Sequence, residues 1–168
     1  LQSAPDFITL DSGDGGTGAA PMALIDNVGL PIRESLPIVV DLLHKYGLKE
    51  RIRLIASGKL TTPANVAYAL CMGADFVTSA RGFMFALGCI QSLRCNKNTC
   101  PTGITTHDPH LQRGLVPADK AARVMRYQQN MEKEVNVIAH SCGVAEARQL
   151  QRQHCRIVQG NGRSIPIS

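Results

Sequence analysis

The sequence predicts an α/β protein: a parallel sheet of about three βα units, followed by C-terminal helices. Three short runs, 6–10 (DFITL), 52–56 (IRLIA) and 74–79 (ADFVTS), are apolar and rich in Ile, Leu, Val, Phe and Thr. Parallel strands covered on both faces have this character. Helical patterns fill the intervals, and the strand–helix–strand alternation implies parallel pairing.

In chain order, 6–10 is the first strand, and the loop "GDGGTGAAP" at 13–21 follows it at once. Four glycines in nine positions call for unusual dihedrals or a close neighbour. A strand running into such a loop is a common way to bring main-chain amides to a ligand; the alternative is a plain turn. Residues 38–46 (IVVDLLHKY) read as a helix stopped by Gly47. After the second strand, Thr61, Thr62 and Pro63 suit the start of a helix over 61–72 that ends at Gly73. A helix over 81–93 follows the third strand. Beyond Pro117 the apolar positions Ala121, Val124, Met125, Val135, Ile138 and Ala139 describe a long amphipathic helix over 118–140. "VAEARQL" after Gly143 suits a short helix, and the tail reads as extended and turn-rich. The expected organisation is 1–116 as the sheet portion with a Cys-rich loop, and 117–168 as a helical extension of the same domain.

Composition narrows the function. Hydrophobic residues are 44% and charged residues 18%, a folded rather than disordered balance. The net charge is +5, but the basic residues are scattered and aromatics are only 4% with no Trp. No stacking platform for nucleic acid results, so no nucleic-acid partner is expected. A site for a phosphate or an acidic metabolite explains the charge equally well. No apolar run approaches the roughly 20 residues of a membrane span. Residue 1 is Leu, so the start of the parent protein is expected elsewhere.

Two further loops carry chemistry: "ASGKLTTP" at 56–63 and "TSARGF" at 78–83. In each, a strand ends, a glycine follows and a helix begins. In (β/α)8 barrels the loops after the last two strands often bind phosphate beside a helix N-terminus. Gly58 and Gly82 would let main-chain N–H groups approach, and Lys59 or Arg81 would add charge. The alternative is two ordinary βα turns.

Of six cysteines, Cys89, Cys95 and Cys100 fall together as Cys-x5-Cys-x4-Cys-Pro. Three is an odd number for disulfides, and the chain reads as intracellular, hence cytoplasmic. Zinc usually takes four ligands with a close pair, and His107 is the one candidate to complete such a set. Iron–sulfur ligation, zinc and unligated thiols all stay open on the residues alone.

Taken together, "GDGGTGAAP", "SGK", "ARGFMFALGC" and the cysteine stretch running into "PTGITT" resemble, in order and spacing, the FMN-binding synthase domain of glutamate synthase. The likeness covers roughly 6–151 and points to the shorter glutamate-synthase-like proteins without a fused glutaminase domain. It implies a (β/α)8 TIM barrel of which this chain is the C-terminal portion. It implies FMN at the C-terminal ends of the strands, near Asp14, Gly15, Gly16, Thr17, Ser57, Gly58, Lys59, Ser79, Ala80, Arg81 and Gly82. It also implies a [3Fe-4S] cluster on Cys89, Cys95 and Cys100, with Cys71 a packed helix residue and Cys142 and Cys155 bystanders. The implied reaction is reductive transfer of ammonia, free or glutamine-derived, to 2-oxoglutarate. No catalytic acid or base and no electron donor is assigned. The chain departs from the family in two places. The large synthases read Asp-Gly-Gly at 57–59 and Gly-Phe-Gly-Thr at 78–81.

Two alternatives accompany this reading. One is another FMN barrel oxidoreductase, similar to inosine-monophosphate dehydrogenase. The other is a non-catalytic barrel fragment. Three strands cannot close a barrel, so the remaining strands are expected on a longer chain or an associated subunit.

Overall fold

The computed structural model describes residues 5–15, 20–21, 23–25 and 27–167. Strands β1 (Phe7–Asp11), β2 (Arg53–Ser57) and β3 (Phe76–Thr78) form a parallel sheet in the order β1-β2-β3. Ile8 lies opposite Leu54, and Leu10 opposite Ala56, which in turn faces Val77. Side chains alternate across a strand, so this row shares one face. Leu54 and Ala56 are fully buried there, with Ile8, Leu10 and Val77 packed beside them.

The opposite face behaves differently. Phe7 and Phe76, at 58% and 59% exposure, lie on it with Thr9 and Asp11. The expectation of strands covered on both faces therefore holds for one face only. The core forms where α1 (Ile32–Lys45), α2 (Pro63–Cys71), α5 (Pro117–Ser141) and Leu150 close over that one face.

Helix α1 begins six residues before the predicted start at 38, and the reason is Pro37 in its interior. Proline has no N–H, so the Arg33 carbonyl one turn back loses its usual partner. The Tyr68 hydroxyl of α2 donates to that carbonyl at 2.9 Å, while the Arg33 guanidinium stacks over the Tyr68 ring at 4.8 Å. A residue that reads as a helix breaker is thus accommodated by a neighbouring helix.

Helix α2 starts as expected: the Thr62 hydroxyl accepts from the Asn65 N–H at 3.3 Å, with Pro63 in the first position. Asp75 then fixes the approach to β3. Its carboxylate accepts from the Leu54 N–H at 2.8 Å, from Lys49 Nζ at 2.8 Å and from the Arg53 guanidinium at 3.3 Å. Burial pushes the Asp75 pKa up, but these donors outweigh it and hold the pKa below the ordinary 3.8.

Helix α3 (Ala80–Leu87) stops at Gly88 in the left-handed conformation (φ 103°), short of the predicted 93. A four-residue helix, α4 (Pro109–Gln112), precedes α5, which packs against α2 and α3. "VAEARQL" gives only a 3-10 turn at Ala147–Gln149 rather than a helix, being too short to repay nucleation. Arg152 reaches back to α1, bonding Asp41 and the Pro37 carbonyl. The tail forms a hairpin of β4 (Arg156–Val158) and β5 (Ser164–Pro166). Among the described residues no helix is long and apolar enough to cross a membrane.

Candidate functional site

The loop after β1 is tied down at its start. Ser12 N donates to Ser57 O at 3.0 Å, and Gly13 N to Leu30 O at 2.9 Å. A side chain at Gly13 would strike the Gly29 main chain at 2.9 Å, which is why glycine stands there. The 3-10 turn Gly13–Gly15 brings Asp14 to the start of α1. Its Oδ1 accepts from the Ile32 N–H at 3.2 Å and from the Ser12 hydroxyl. Pro31, at the cap position of α1, has no side-chain oxygen, so Asp14 supplies the cap from eighteen residues upstream. Gly15 ends that turn, and Gly16 and Thr17 lie outside the described residues.

Ser57 and Thr78 stand in register, so the second and third loops leave the sheet side by side at its C-terminal end. The Ser57 hydroxyl donates to Asp11 Oδ1 at 2.9 Å on the open face. Gly58 is buried at φ 153°, and a Cβ there would run into Ser12 Oγ and lie 2.8 Å from Asp14 Oδ1. Lys59 adopts a left-handed φ of 46°. In the third loop, Ser79 precedes Ala80, Arg81 and Gly82 in the first turn of α3. Gly82 is buried; a Cβ would lie 2.6 Å from Cζ of Tyr127 and 2.7 Å from Ser79 Oγ. The open sides of both glycines are therefore filled by the protein's own side chains, not left for a ligand. The donor set on these loops, Lys59 and Arg81 on neighbouring turns, has the charge a phosphate needs.

Tyr127 joins the two loops. Its hydroxyl donates to the Thr61 carbonyl at 3.0 Å and lies 3.0 Å from Ser79 Oγ. Its ring meets Phe83 edge-on, with centroids 5.0 Å apart.

The three cysteines of the stretch occupy different settings. Cys89 follows Gly88, close to where Lys120 and Arg123 of α5 approach the chain. Cys95 opens a 3-10 turn, Cys95–Lys97. Gln91, Leu93 and Asn98 all take positive φ (55°, 55° and 58°), so the segment carrying Cys89 and Cys95 is strained. Cys100 is buried. Burial raises its thiol pKa, but hydrogen bonds from the Thr102 and Thr105 side chains and main chain outweigh this and lower it to about 6. The Thr102 hydroxyl sits 3.3 Å from the sulfur. The Thr105 hydroxyl pulls from nearby, but its geometry falls short of a full hydrogen bond, leaving Oγ1 buried without a partner. A cysteine sulfur with the Thr102 hydroxyl beside it and an orphaned Thr105 hydroxyl nearby has chemistry that suits a metal ligand at Cys100. The trio as a whole does not form a cradle: among the described residues no three His, Cys, Asp or Glu side chains gather to hold an ion.

Cys71 is buried at the end of α2, as expected, and burial pushes its pKa up to about 11. Cys142 and Cys155 are partly buried and pack against the same core as Cys71. Tyr127, Asp11, Thr102 and Thr105 escaped the sequence reading. Asp11 was findable, since alternation from Phe7 and Thr9 points it to the open face at the strand's end. Thr102 and Thr105 stand beside Cys100 in "CPTGITT". Nothing local marks Tyr127.

The family described as a conserved region in glutamate synthase matches residues 1–145, and the chain belongs to that family. It is similar to the glutamate synthase large subunit-like protein YerD of Bacillus subtilis, 45% identical over 163 residues, covering 97% of this chain and 31% of the relative. It is also similar to the archaeal glutamate synthase (NADPH) of Methanocaldococcus jannaschii, 34% identical over 155 residues, covering 92% of this chain and 30% of the relative. The archaeal-type glutamate synthase (NADPH) of Dehalococcoides mccartyi is 31% identical over 169 residues, covering 99% and 34%. The chain thus spans about a third of the length of these relatives.

Proposed function

We propose that this chain is the C-terminal part of the flavin-binding (β/α)8 barrel of a glutamate-synthase-type oxidoreductase, which makes glutamate from 2-oxoglutarate and ammonia, free or glutamine-derived. One observation carries this beyond family membership. The three parallel strands run in sequential order, their helices cover one face only, and two basic loops emerge together at the C-terminal ends of β2 and β3. A barrel wall with its phosphate loops would have these features, which supports the reading. A doubly wound sheet would carry helices on both faces. The open face with Phe7, Phe76 and Asp11 would be barrel interior. A groove of about 850 Å³ beside β3, lined by Arg53, Asp75, Phe76 and Met131, leaves room there for a further element, in keeping with that reading.

In this reading Lys59 and Arg81 hold the phosphate of FMN. Asp14 braces the glycine loop. Cys89, Cys95 and Cys100 are the residues that would hold a [3Fe-4S] cluster, but they do not gather around a common point here, so no step is derived through a cluster. Bound FMN would supply the hydride chemistry, while the protein would orient and shield it. The ungathered cysteines favour a second reading, a barrel piece without a cluster. A visible spectrum of the full-length protein after supplying FMN, iron and sulfide tests both. Flavin bands with a broad cluster shoulder support the synthase. Flavin alone supports a different FMN enzyme or a cluster-free piece. A colourless protein overturns the proposal.

A further inference from the structure

We propose that Tyr127 is a positioning residue for the phosphate end of the flavin site, clamping its two loops at a fixed separation. The inference rests on the flavin reading above. It begins from a proton inventory. A phenol has one O–H to donate and lone pairs to accept with. The Thr61 carbonyl can only accept, so the Tyr127 proton is spent there, at 3.0 Å. The second bond, 3.0 Å from Ser79 Oγ, must therefore run the other way, with Ser79 donating to Tyr127.

Two consequences follow. The loop after β2, through Thr61, and the loop after β3, through Ser79, are joined by one oxygen atom carried on α5. And the Ser79 hydroxyl proton is committed to the clamp, so Ser79 does not offer it to a phosphate. Ser79 belongs among the site residues as a link to Tyr127. The binding of an anion is left to Lys59, Arg81 and the main chain.

The ring and the hydroxyl have separable duties. The hydroxyl and Cζ together fill the open side of Gly82, while the ring meets Phe83 edge-on at 5.0 Å, which is packing. The hydroxyl alone spans the loops. Tyr127→Phe removes the clamp and keeps the ring's packing on Phe83.

The test uses the full-length protein and compares wild type, Tyr127→Phe, Ser79→Ala and the double variant. Affinities for FMN and for riboflavin, which lacks the phosphate, are read by flavin fluorescence. Amide hydrogen exchange of 58–62 and 79–83 is followed without flavin. Tyr127→Phe is expected to weaken FMN about three- to tenfold, the scale of one lost hydrogen bond. Riboflavin affinity should hardly change, and exchange should quicken in both loops together. Ser79→Ala should cost no more than Tyr127→Phe, and the double variant no more than the worse single one, because both break the same link. Equal weakening of FMN and riboflavin, or an unchanged FMN preference, overturns the clamp. A double variant that loses the two costs additively overturns it too, since Ser79 would then bond the phosphate itself. Wild-type protein that binds FMN no better than riboflavin overturns the flavin reading, and the clamp's role falls with it.

Discussion

Gly82→Ala is a small substitution with a large expected penalty. Alanine is the better helix former by about 1 kcal/mol, so an exposed Gly→Ala in α3 would stabilise. Gly82 is instead buried, and the new methyl would lie 2.6 Å from Tyr127 Cζ and 2.7 Å from Ser79 Oγ. Neither atom is the loose end of a flexible chain, so the ring has to shift. Overpacking of this kind costs about 1–3 kcal/mol. A shifted ring also gives up its bonds to Thr61 and Ser79, each worth about 0.5–1.5 kcal/mol. After the propensity gain, a net loss of about 1–5 kcal/mol remains. The sharper statement concerns Tyr127. In a Tyr127→Ala background the main obstruction is gone and only Ser79 Oγ, 2.7 Å away, is left to rotate aside, so the penalty of Gly82→Ala should shrink to within about 1 kcal/mol of zero. Urea unfolding followed by circular dichroism measures both. If Gly82→Ala is neutral or stabilising with Tyr127 present, the ring is not held where the packing argument needs it. If it is equally destabilising without Tyr127, the obstruction lies elsewhere.

Three other outcomes are expected. Arg81→Ala should weaken FMN by about 1.5–3 kcal/mol, the value of a charge-assisted hydrogen bond; unchanged FMN affinity in a fluorescence titration places the phosphate elsewhere. Asp75→Asn should destabilise by about 2 kcal/mol at neutral pH, because it weakens the bonds to Lys49, Arg53 and Leu54. The folded-state pKa of Asp75 is depressed below 3.8, so its contribution is full above that value and lost as pH falls through the lower one. The gap between wild type and variant in urea unfolding should therefore close in acid, and a gap constant with pH refutes the assignment. Residues 1–168 expressed alone should self-associate through the free strand edges and open face; a stable monomer with well-protected strands, by light scattering and hydrogen exchange, refutes the incomplete barrel.

Much of the fold was legible because its signals are local. Thr62-Pro63 announces α2, Gly73 ends its connection, and the three apolar runs fall within two residues of the strands. What escaped depends on partners far along the chain. Pro37 reads as a boundary until Tyr68, 31 positions away, is seen to satisfy Arg33. The exposed face of the sheet could not be read from β1, because Phe7 is apolar whether or not anything covers it. At the site, the glycines were visible but their reason was not: Gly58 makes room for Ser12 and Asp14, and Gly82 for Tyr127. A glycine shows that something approaches closely, not whether that neighbour is a ligand or another part of the chain.

The same distinction bears on Lys59, where the chain departs from the glycine of the resembled family. It stands at φ 46°, in the left-handed region that costs an ordinary L-residue about 1–2 kcal/mol. Such a conformation persists only where the surroundings over-determine it. Here they do. Gly58 is wedged against Ser12, Asp14 and Ile32 on one side, and Thr61 N closes a tight turn onto the Lys59 carbonyl at 2.8 Å on the other. The backbone path is set by these neighbours whatever side chain position 59 carries. Glycine would follow that path with less strain but would bring no charge. Lysine accepts the strain and places a cation on the loop beside the one that carries Arg81. The strain is thus a local cost of the lysine, and the charge it carries is what distinguishes it from glycine on the same path.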